Sequence, residues 1–227
     1  MLKFNKDSFN NFLLKHKIVG IKADGITLKS GRTSYWYANC RTLTDYTGPA
    51  GTLVRYLLDF TEELNLNFDY YYGIPEGITK LAVLANYIRS LNNNNPGHPL
   101  VIGRSKPKQH GDPRDKFFIG PVQSGQSIIV IEDVTTTGGS LLQSLESLEQ
   151  AGLKIQAVIT LFDRMQKRDD GKTVKDAVNK KGYDFFALAD AFNFLPFFIK
   201  KTKPPQELID KINQELKQST VRPIKLD

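Results

Sequence analysis

The nonapeptide Glu132-Asp133-Val134-Thr135-Thr136-Thr137-Gly138-Gly139-Ser140 sets two adjacent acids beside hydroxyl side chains and glycines. It follows the apolar run Ile128-Ile129-Val130-Ile131 and precedes a helical pattern over residues 141–150. Four β-branched apolar residues read as a buried parallel strand, and the acids fall where that strand is expected to end. A helix start preceded by glycine and hydroxyl residues gathers free backbone N–H groups, and the helix dipole favours an anion there. The paired acids suit a different partner, either the vicinal hydroxyls of a ribose or a divalent cation. A plain helix cap needs one Asp, Thr or Ser. Here eight of nine residues are acidic, hydroxyl-bearing or glycine, so a sugar site and a phosphate site side by side is the better reading.

Other segments carry compatible chemistry. Gly73-Ile74-Pro75-Glu76-Gly77 reads as a second strand-to-helix turn. Its small residues let backbone N–H groups approach another phosphate, though a bare tight turn has the same composition. Arg104-Ser105-Lys106-Pro107-Lys108-Gln109-His110-Gly111 places four potential cations within seven residues. In a solvated loop these repel one another; over a diphosphate they neutralise charge on a leaving group. Lys29-Ser30-Gly31-Arg32 leads into the aromatic stretch 34–39. A planar ligand could stack on Tyr37 or meet its backbone; a hairpin of core aromatics is the plainer alternative. Asp163-Arg164 stands at a strand end, where it could clamp a carboxylate bidentately or form an ordinary surface ion pair.

The frame for these loops is legible as alternating strands and helices. An amphipathic helix over 4–16, capped by Asp7 or Ser8, precedes extended segments at 19–28 and 34–39. A helix over 48–64 has Leu53, Leu57 and Leu58 inward, and a strand over 68–72 is followed by a helix over 78–91. Residues 92–98 form a breaker cluster, 100–103 a short strand, 104–114 a long mobile loop, and 116–120 a further strand. The chain closes with a strand at 155–162, a helix at 171–181, a strand at 185–189 and a helix at 205–218. The phenylalanine-rich run 192–198 reads as core or subunit contact, and His16 and His98 as surface residues. Alternation of this kind predicts an α/β fold with a mostly parallel sheet flanked by helices, which binds ligands at the C-terminal strand ends.

Composition narrows the class. A chain of 227 residues with 40% hydrophobic content supports one α/β domain, 1–227. The longest apolar runs are too short to span a bilayer and no basic-then-apolar leader is present, so a cytoplasmic protein without membrane partners is expected. The single cysteine, Cys40, rules out an internal disulfide and any multi-cysteine metal site. A net charge of +7 is spread without a block of five cations, which favours small phosphorylated ligands over nucleic acid.

The nonapeptide at 132–140 resembles the 5-phosphoribosyl-1-diphosphate (PRPP) signature of type I phosphoribosyltransferases. Leu28-Lys29-Ser30-Gly31-Arg32-Thr33-Ser34 with Tyr37 and Asn39, the basic loop from Arg104, and Asp163-Arg164 are similar to the corresponding motifs of the orotate phosphoribosyltransferase family. The resemblance covers about residues 1–190 and implies the type I fold, with a small hood built mainly from about 1–45 plus C-terminal segments. It implies that PRPP is held by Lys29, Glu76, Gly77, Arg104, Lys106, Lys108, His110 and residues Glu132, Asp133, Val134, Thr135, Thr136, Thr137, Gly138, Gly139 and Ser140. Orotate would meet Lys29, Tyr37, Ala38, Thr136 and Arg164. Lys108, His110, Asp133 and Arg104 would act in catalysis.

The same resemblance implies Mg²⁺ carried mainly by PRPP with no definite protein ligand. It also implies a homodimer whose mobile loop acts in trans, and a place before orotidine 5′-monophosphate decarboxylase, with which the chain could associate. Three departures from the family pattern stand out: Ser105 where a second lysine is common, Gly77 where Lys or Thr is frequent, and Gln166 where many members have Glu. A phosphoribosyltransferase for another base and a nucleotide-sensing regulator on the same fold are the alternatives.

Overall fold

A computed structural model of the chain describes residues 3–28, 31–110, 116–222 and 224–227. In chain order the elements are α1 (Lys6–Lys15), the strands β1 (Val19–Thr27) and β2 (Thr33–Ala38), α2 (Thr47–Glu63), β3 (Tyr70–Gly73) and α3 (Thr79–Asn92). Two short strands follow, β4 (Ile102–Gly103) and β5 (Phe118–Ile119), then β6 (Ser127–Thr135), α4 (Gly139–Gln150) and β7 (Lys154–Asp163). The chain ends with α5 (Val174–Lys180), β8 (Asp184–Asp190), α6 (Ala191–Thr202) and α7 (Gln206–Ser219). Strands β3, β6, β7 and β8 form one parallel sheet in the order β3-β6-β7-β8, while β1 pairs with β2 and β4 with β5 as antiparallel ribbons. No helix of the described residues is long and apolar enough to cross a membrane.

Burial explains the strand composition. Ile128, Ile129, Val130 and Ile131 of β6 are fully buried, as a strand covered on both faces requires. Leu141, Leu145 and Leu148 of α4, spaced for one helical face, are equally buried. At the sheet edge the Asn86 side chain of α3 replaces a missing strand: its amide donates to the Tyr71 carbonyl and accepts from the Tyr71 N–H, both at 2.8 Å. That arrangement closes the edge of β3 to stray pairing.

Several expectations shift. Helix α1 is capped by Asn5, whose side chain accepts from the Ser8 N–H, and Asp7 lies inside the first turn. Strand β6 does not stop at the acids; its ladder with β7 continues through Val134↔Phe162 and Thr135↔Asp163, because backbone pairing is indifferent to side-chain polarity. The run 192–198 belongs to α6, a helix not expected from the sequence. Its near-continuous apolar character and Pro196 hide the helical period, and Asp190 caps it by accepting from the Asn193 N–H. His16 and His98 are half-buried rather than on the open surface: His16 packs edge-on against Phe12, and the His98 ring nitrogen lies 3.3 Å from Asn86.

The β1–β2 ribbon and α7 make a hood over the end of the sheet. Trp36 of β2, fully buried, meets Phe162 of β7 at 6.0 Å, and Phe162 meets Phe194 of α6 edge-on at 5.5 Å. Phe162 therefore joins hood, sheet and α6 through one ring. Phe162→Ala is expected to lower stability by about 3–5 kcal/mol in urea unfolding; a loss below about 1 kcal/mol would show that the hood does not depend on this contact.

Candidate active site

Parallel pairing brings three turns to one end of the sheet. Gly73 ends β3 opposite Ile131, and Thr135 of β6 stands opposite Asp163 of β7. The turns that follow these strands carry Glu76-Gly77, the Thr135-to-Ser140 residues and Arg164 respectively. Adjacent parallel strands release their chains toward the same side, where α/β folds of this kind bind ligands.

Glu132 and Asp133 are both buried, although they are acids within a strand. Asp133 Oδ2 accepts from Arg41 Nε at 2.7 Å. Arg41 lies on a single 3₁₀ turn, Cys40–Thr44, that follows β2, and that turn is capped by the Asn39 side chain. Burial, and then the adjoining Asp133, push the Glu132 carboxyl well above the usual carboxylate range, which favours its protonated form. Gly77 completes this corner. A Cβ there would stand 2.7 Å from Asp133 Oδ2 and 2.9 Å from Arg41 Nε, so a longer side chain has no room here. The Pro75–Glu76 peptide is cis.

Beyond Thr135 the chain turns into α4. Thr136 and Thr137 are half-buried, Gly139 and Ser140 exposed. Gly138 adopts φ +70°, and a Cβ there would press on Val174. Helix α4 starts without a side-chain cap, which leaves the N–H groups of its first turn for a bound anion. The Arg168 guanidinium donates to the Thr137 carbonyl and braces this turn from outside.

The basic loop rises from the β4–β5 ribbon. Arg104 N–H donates to the Phe117 carbonyl and Lys108 N–H to the Lys116 carbonyl, each at 2.9 Å, so the pairing continues beyond the two short strands. Tyr72 of β3 packs edge-on against Phe118 and holds the ribbon beside the Gly73-Gly77 turn. Ser105 Oγ donates to Glu76 Oε1 at 2.9 Å, tying the loop base to that turn. Ser105 thus makes a contact of its own at the position where the family resemblance suggested a lysine. Lys106, Lys108 and His110 are exposed. Lys29 and residues 111–115 lie outside the described residues, so the placement expected for them finds no counterpart here.

Arg164 differs from its expected presentation. It is 1% exposed, stacked at 3.8 Å on the Trp36 ring. One terminal nitrogen donates to the Trp36 carbonyl at 3.3 Å, and the other to Ser34 Oγ at 2.8 Å and Glu215 Oε1 at 3.4 Å. Both terminal nitrogens are therefore engaged within the protein, and neither a surface ion pair nor an open bidentate clamp is formed. Its Nε is buried and has no hydrogen-bond partner among the described residues. Burial lowers the guanidinium to about 10, against the opposing pull of Glu215. Glu215 of α7 also accepts from Ser34 Oγ and the Tyr35 N–H, so it holds the hood strand and the arginine together.

The structure brings Glu76, Gly77, Glu132, Asp133 and the base of the basic loop to one corner through the Ser105 and Gly77 contacts. Val134 is half-buried on the ladder beside Phe162. Tyr37 is exposed and Ala38 buried next along β2. Arg41, Arg168 and Glu215 are neighbours of the site that sequence reasoning missed. Arg41 had one signal, its place just after the Asn39 of a motif already noticed. Arg168 and Glu215 had none, because only tertiary packing brings them near Thr137 and Arg164. Gln166, another departure, is buried and bridges to Thr220 at the end of α7.

Comparison with known proteins agrees with this geometry. A phosphoribosyl transferase domain is matched over residues 80–190. The fold is that of an orotate phosphoribosyltransferase from Francisella tularensis, with a TM-score of 0.71 at 22% identity, over 94% of this chain and 99% of that one. A Mycobacterium tuberculosis orotate phosphoribosyltransferase, solved in complex with 5-phospho-α-D-ribosyl 1-diphosphate, shares it at a TM-score of 0.56 and 19% identity, over 82% of this chain and 95% of that one. Parallel sheet, hood and acid-hydroxyl turn together define a phosphoribosyltransferase of the type I fold. In sequence, the chain is 31% identical over 183 residues to the orotate phosphoribosyltransferase of Pyrococcus horikoshii, spanning 81% of this chain and 89% of that protein. This chain belongs to the orotate phosphoribosyltransferase family.

Asp163, beneath the turn, yields a pH test. Its Oδ1 accepts from Thr135 Oγ1 at 3.1 Å and from the Met165 N–H at 2.8 Å, yet burial raises its carboxyl from 3.8 to about 6. The folded chain thus keeps a proton that the unfolded chain releases between about pH 4 and 6. The stability contribution is full below pH 4 and is lost as pH rises through about 6, on the order of 3 kcal/mol. In urea unfolding at stepped pH, Asp163→Asn should lack that part of the wild-type decline. Identical pH slopes in both proteins would contradict it.

Proposed function

We propose that this chain transfers the ribose 5-phosphate group of PRPP to orotate, giving orotidine 5′-monophosphate and diphosphate, a step in pyrimidine biosynthesis. The observation that carries this reading is the corner where buried Asp133, Arg41 and Gly77 meet, set between a phosphate-type turn and the base of a cation-rich loop. Glu132 and Asp133 would take the ribose hydroxyls, and the first turn of α4 with Thr135 to Ser140 the 5-phosphate. Glu76 and Gly77 would border the diphosphate, and Lys29 is a further proposed contact to it.

The bond from the anomeric carbon to diphosphate breaks as positive charge builds on the ribose ring. Stabilising the departing diphosphate is the main task, and Arg104, Lys106, Lys108 and His110 supply positive charge to it. Orotate is already anionic, so its ring nitrogen needs little help from a base. Tyr37 and Ala38 would hold it through the backbone, with Thr136 nearby. Arg164 would reach it through the unpartnered Nε, its other nitrogens being committed to Trp36, Ser34 and Glu215. Closure of the basic loop would keep water from hydrolysing PRPP.

Mg²⁺ belongs to this reading as a partner of the substrate. The ion would come with PRPP, next to the Glu132 and Asp133 carboxylates. When bound it supplies positive charge to the leaving group. A homodimer, in which the basic loop would act in trans, is part of the same reading; its association is supported by an exposed apolar face of Leu84, Tyr87 and Leu91 along α3, with Leu100 and Ile119 of the neighbouring ribbon region. A cytoplasmic location, and association with orotidine 5′-monophosphate decarboxylase, complete the proposal.

Loss of orotate absorbance with PRPP and Mg²⁺ tests the activity, with purine bases as competing acceptors. Turnover on a purine and none on orotate would replace the assignment. Lys108→Ala should reduce turnover by roughly 10²-fold while leaving the orotate Michaelis constant nearly unchanged; an unaltered turnover number would remove the loop from the mechanism.

A further inference from the structure

A cavity of about 790 Å³ opens between β2, the segment 167–171 and α7. None of the acid pair, the Thr135-to-Ser140 turn, Glu76, Gly77 or the basic loop lines it. Its walls carry four cations, Arg32, Lys167, Arg168 and Lys211, against two carboxylates, Asp169 and Glu215. Neither carboxylate is free to neutralise that excess. Glu215 is committed to Arg164, Ser34 and the Tyr35 N–H, and Asp169 sits 3.4 Å from Arg32. Arg168 and Lys211 also have carboxylate neighbours beyond these walls, Asp170 at 3.6 Å and Glu207 at 2.8 Å, but these are solvent-exposed pairs that a phosphate can displace.

Two buried polar atoms on these walls have no hydrogen-bond partner among the described residues: Ser219 Oγ, on a residue 8% exposed, and Arg168 Nε, whose nearest carboxylate is Asp170 at 3.6 Å. Orphaned polar groups of this kind carry a desolvation cost that a polar ligand would relieve. Tyr35 adds a half-buried ring to the same wall. The volume lies inside the ~300–1,000 Å³ range of small-molecule sites.

We propose that this cavity binds a phosphorylated ligand of nucleotide size, and that Arg168 links its occupancy to the phosphate turn of the reaction site. Arg168 donates to the Thr137 carbonyl while its Nε makes no hydrogen bond and has only Asp170 at 3.6 Å, so it belongs to both places. A phosphate in the cavity competes for the guanidinium with a full opposite charge and two acceptor oxygens, where the Thr137 carbonyl offers one neutral acceptor. Occupancy draws Arg168 from Thr137 and loosens the turn that holds the 5-phosphate. The binding half of this proposal is independent of the reaction assigned above; the linkage half rests on it.

The probe is ATP, titrated calorimetrically against the full chain without divalent ions or other substrates. Lys211→Glu and Lys167→Glu, on side chains outside the reaction site, should each weaken ATP by roughly tenfold. Lys108→Ala should leave it unchanged. Affinity that survives both charge reversals but falls in Lys108→Ala would put ATP in the reaction site and overturn the proposal, as would no binding at millimolar ATP. For the linkage, saturating ATP should raise the PRPP dissociation constant about fivefold or more in the wild type and have no such effect in Lys211→Glu. ATP bound in the cavity with PRPP affinity unmoved would refute the role of Arg168.

Discussion

Burying two neighbouring carboxylates inside a parallel strand is the constraint that the rest of this molecule answers. An isolated buried charge is too costly to keep, so it must be paired, hydrogen-bonded or protonated. All three remedies are visible. Glu132 is pushed toward its protonated form, and Asp133 accepts from Arg41 at 2.7 Å. Arg41 comes from the turn after β2, so neutralising the acid also fastens the hood strand to the sheet end. Gly77 is without a side chain at the point where any Cβ would collide with this pair. The same contacts that make the acids tolerable gather hood, sheet and diphosphate-type turn around one point.

A second buried charge organises the other side of the hood. Arg164 lies under Trp36 and shares Glu215 with Ser34 and the Tyr35 N–H. A buried ion pair of this sort contributes little net stability against a well-packed apolar substitute, but leaving either partner alone is costly. Its effect is therefore positional: the C-terminal helix must be docked before the arginine has its orientation. Arg168, four residues further on, performs the same service for the Thr137 carbonyl. The groups proposed to face substrate are held by residues far away in sequence, as precise placement for catalysis requires.

The motifs were readable because each is local. Acids, hydroxyls and glycines within nine residues, or four cations within seven, advertise their chemistry without reference to any other part of the chain. Sheet strands were readable for a similar reason, their β-branched runs being buried on both faces. Element ends were less legible. β6 continues past its last isoleucine because the ladder with β7 is made by backbone, and α6 is obscured by phenylalanines on every side and by Pro196. Asn5 outcompeted Asp7 and Ser8 as a cap through backbone conformation that composition does not encode.

By itself, then, the order of residues determined which strands are buried, which turns carry acids, hydroxyls or cations, and the class of ligand those turns suit. Periodicity and local chemistry act over a few residues, and a linear chain displays them directly. Only the tertiary structure decided that Arg41 meets Asp133, that Glu215 occupies Arg164, that Ser105 ties the basic loop to Glu76, and that a cationic cavity lies next to the phosphate turn. Those pairings span from 29 to 92 residues of chain. They follow from where parallel strands release their turns and where a terminal helix docks, and no short-range pattern records either.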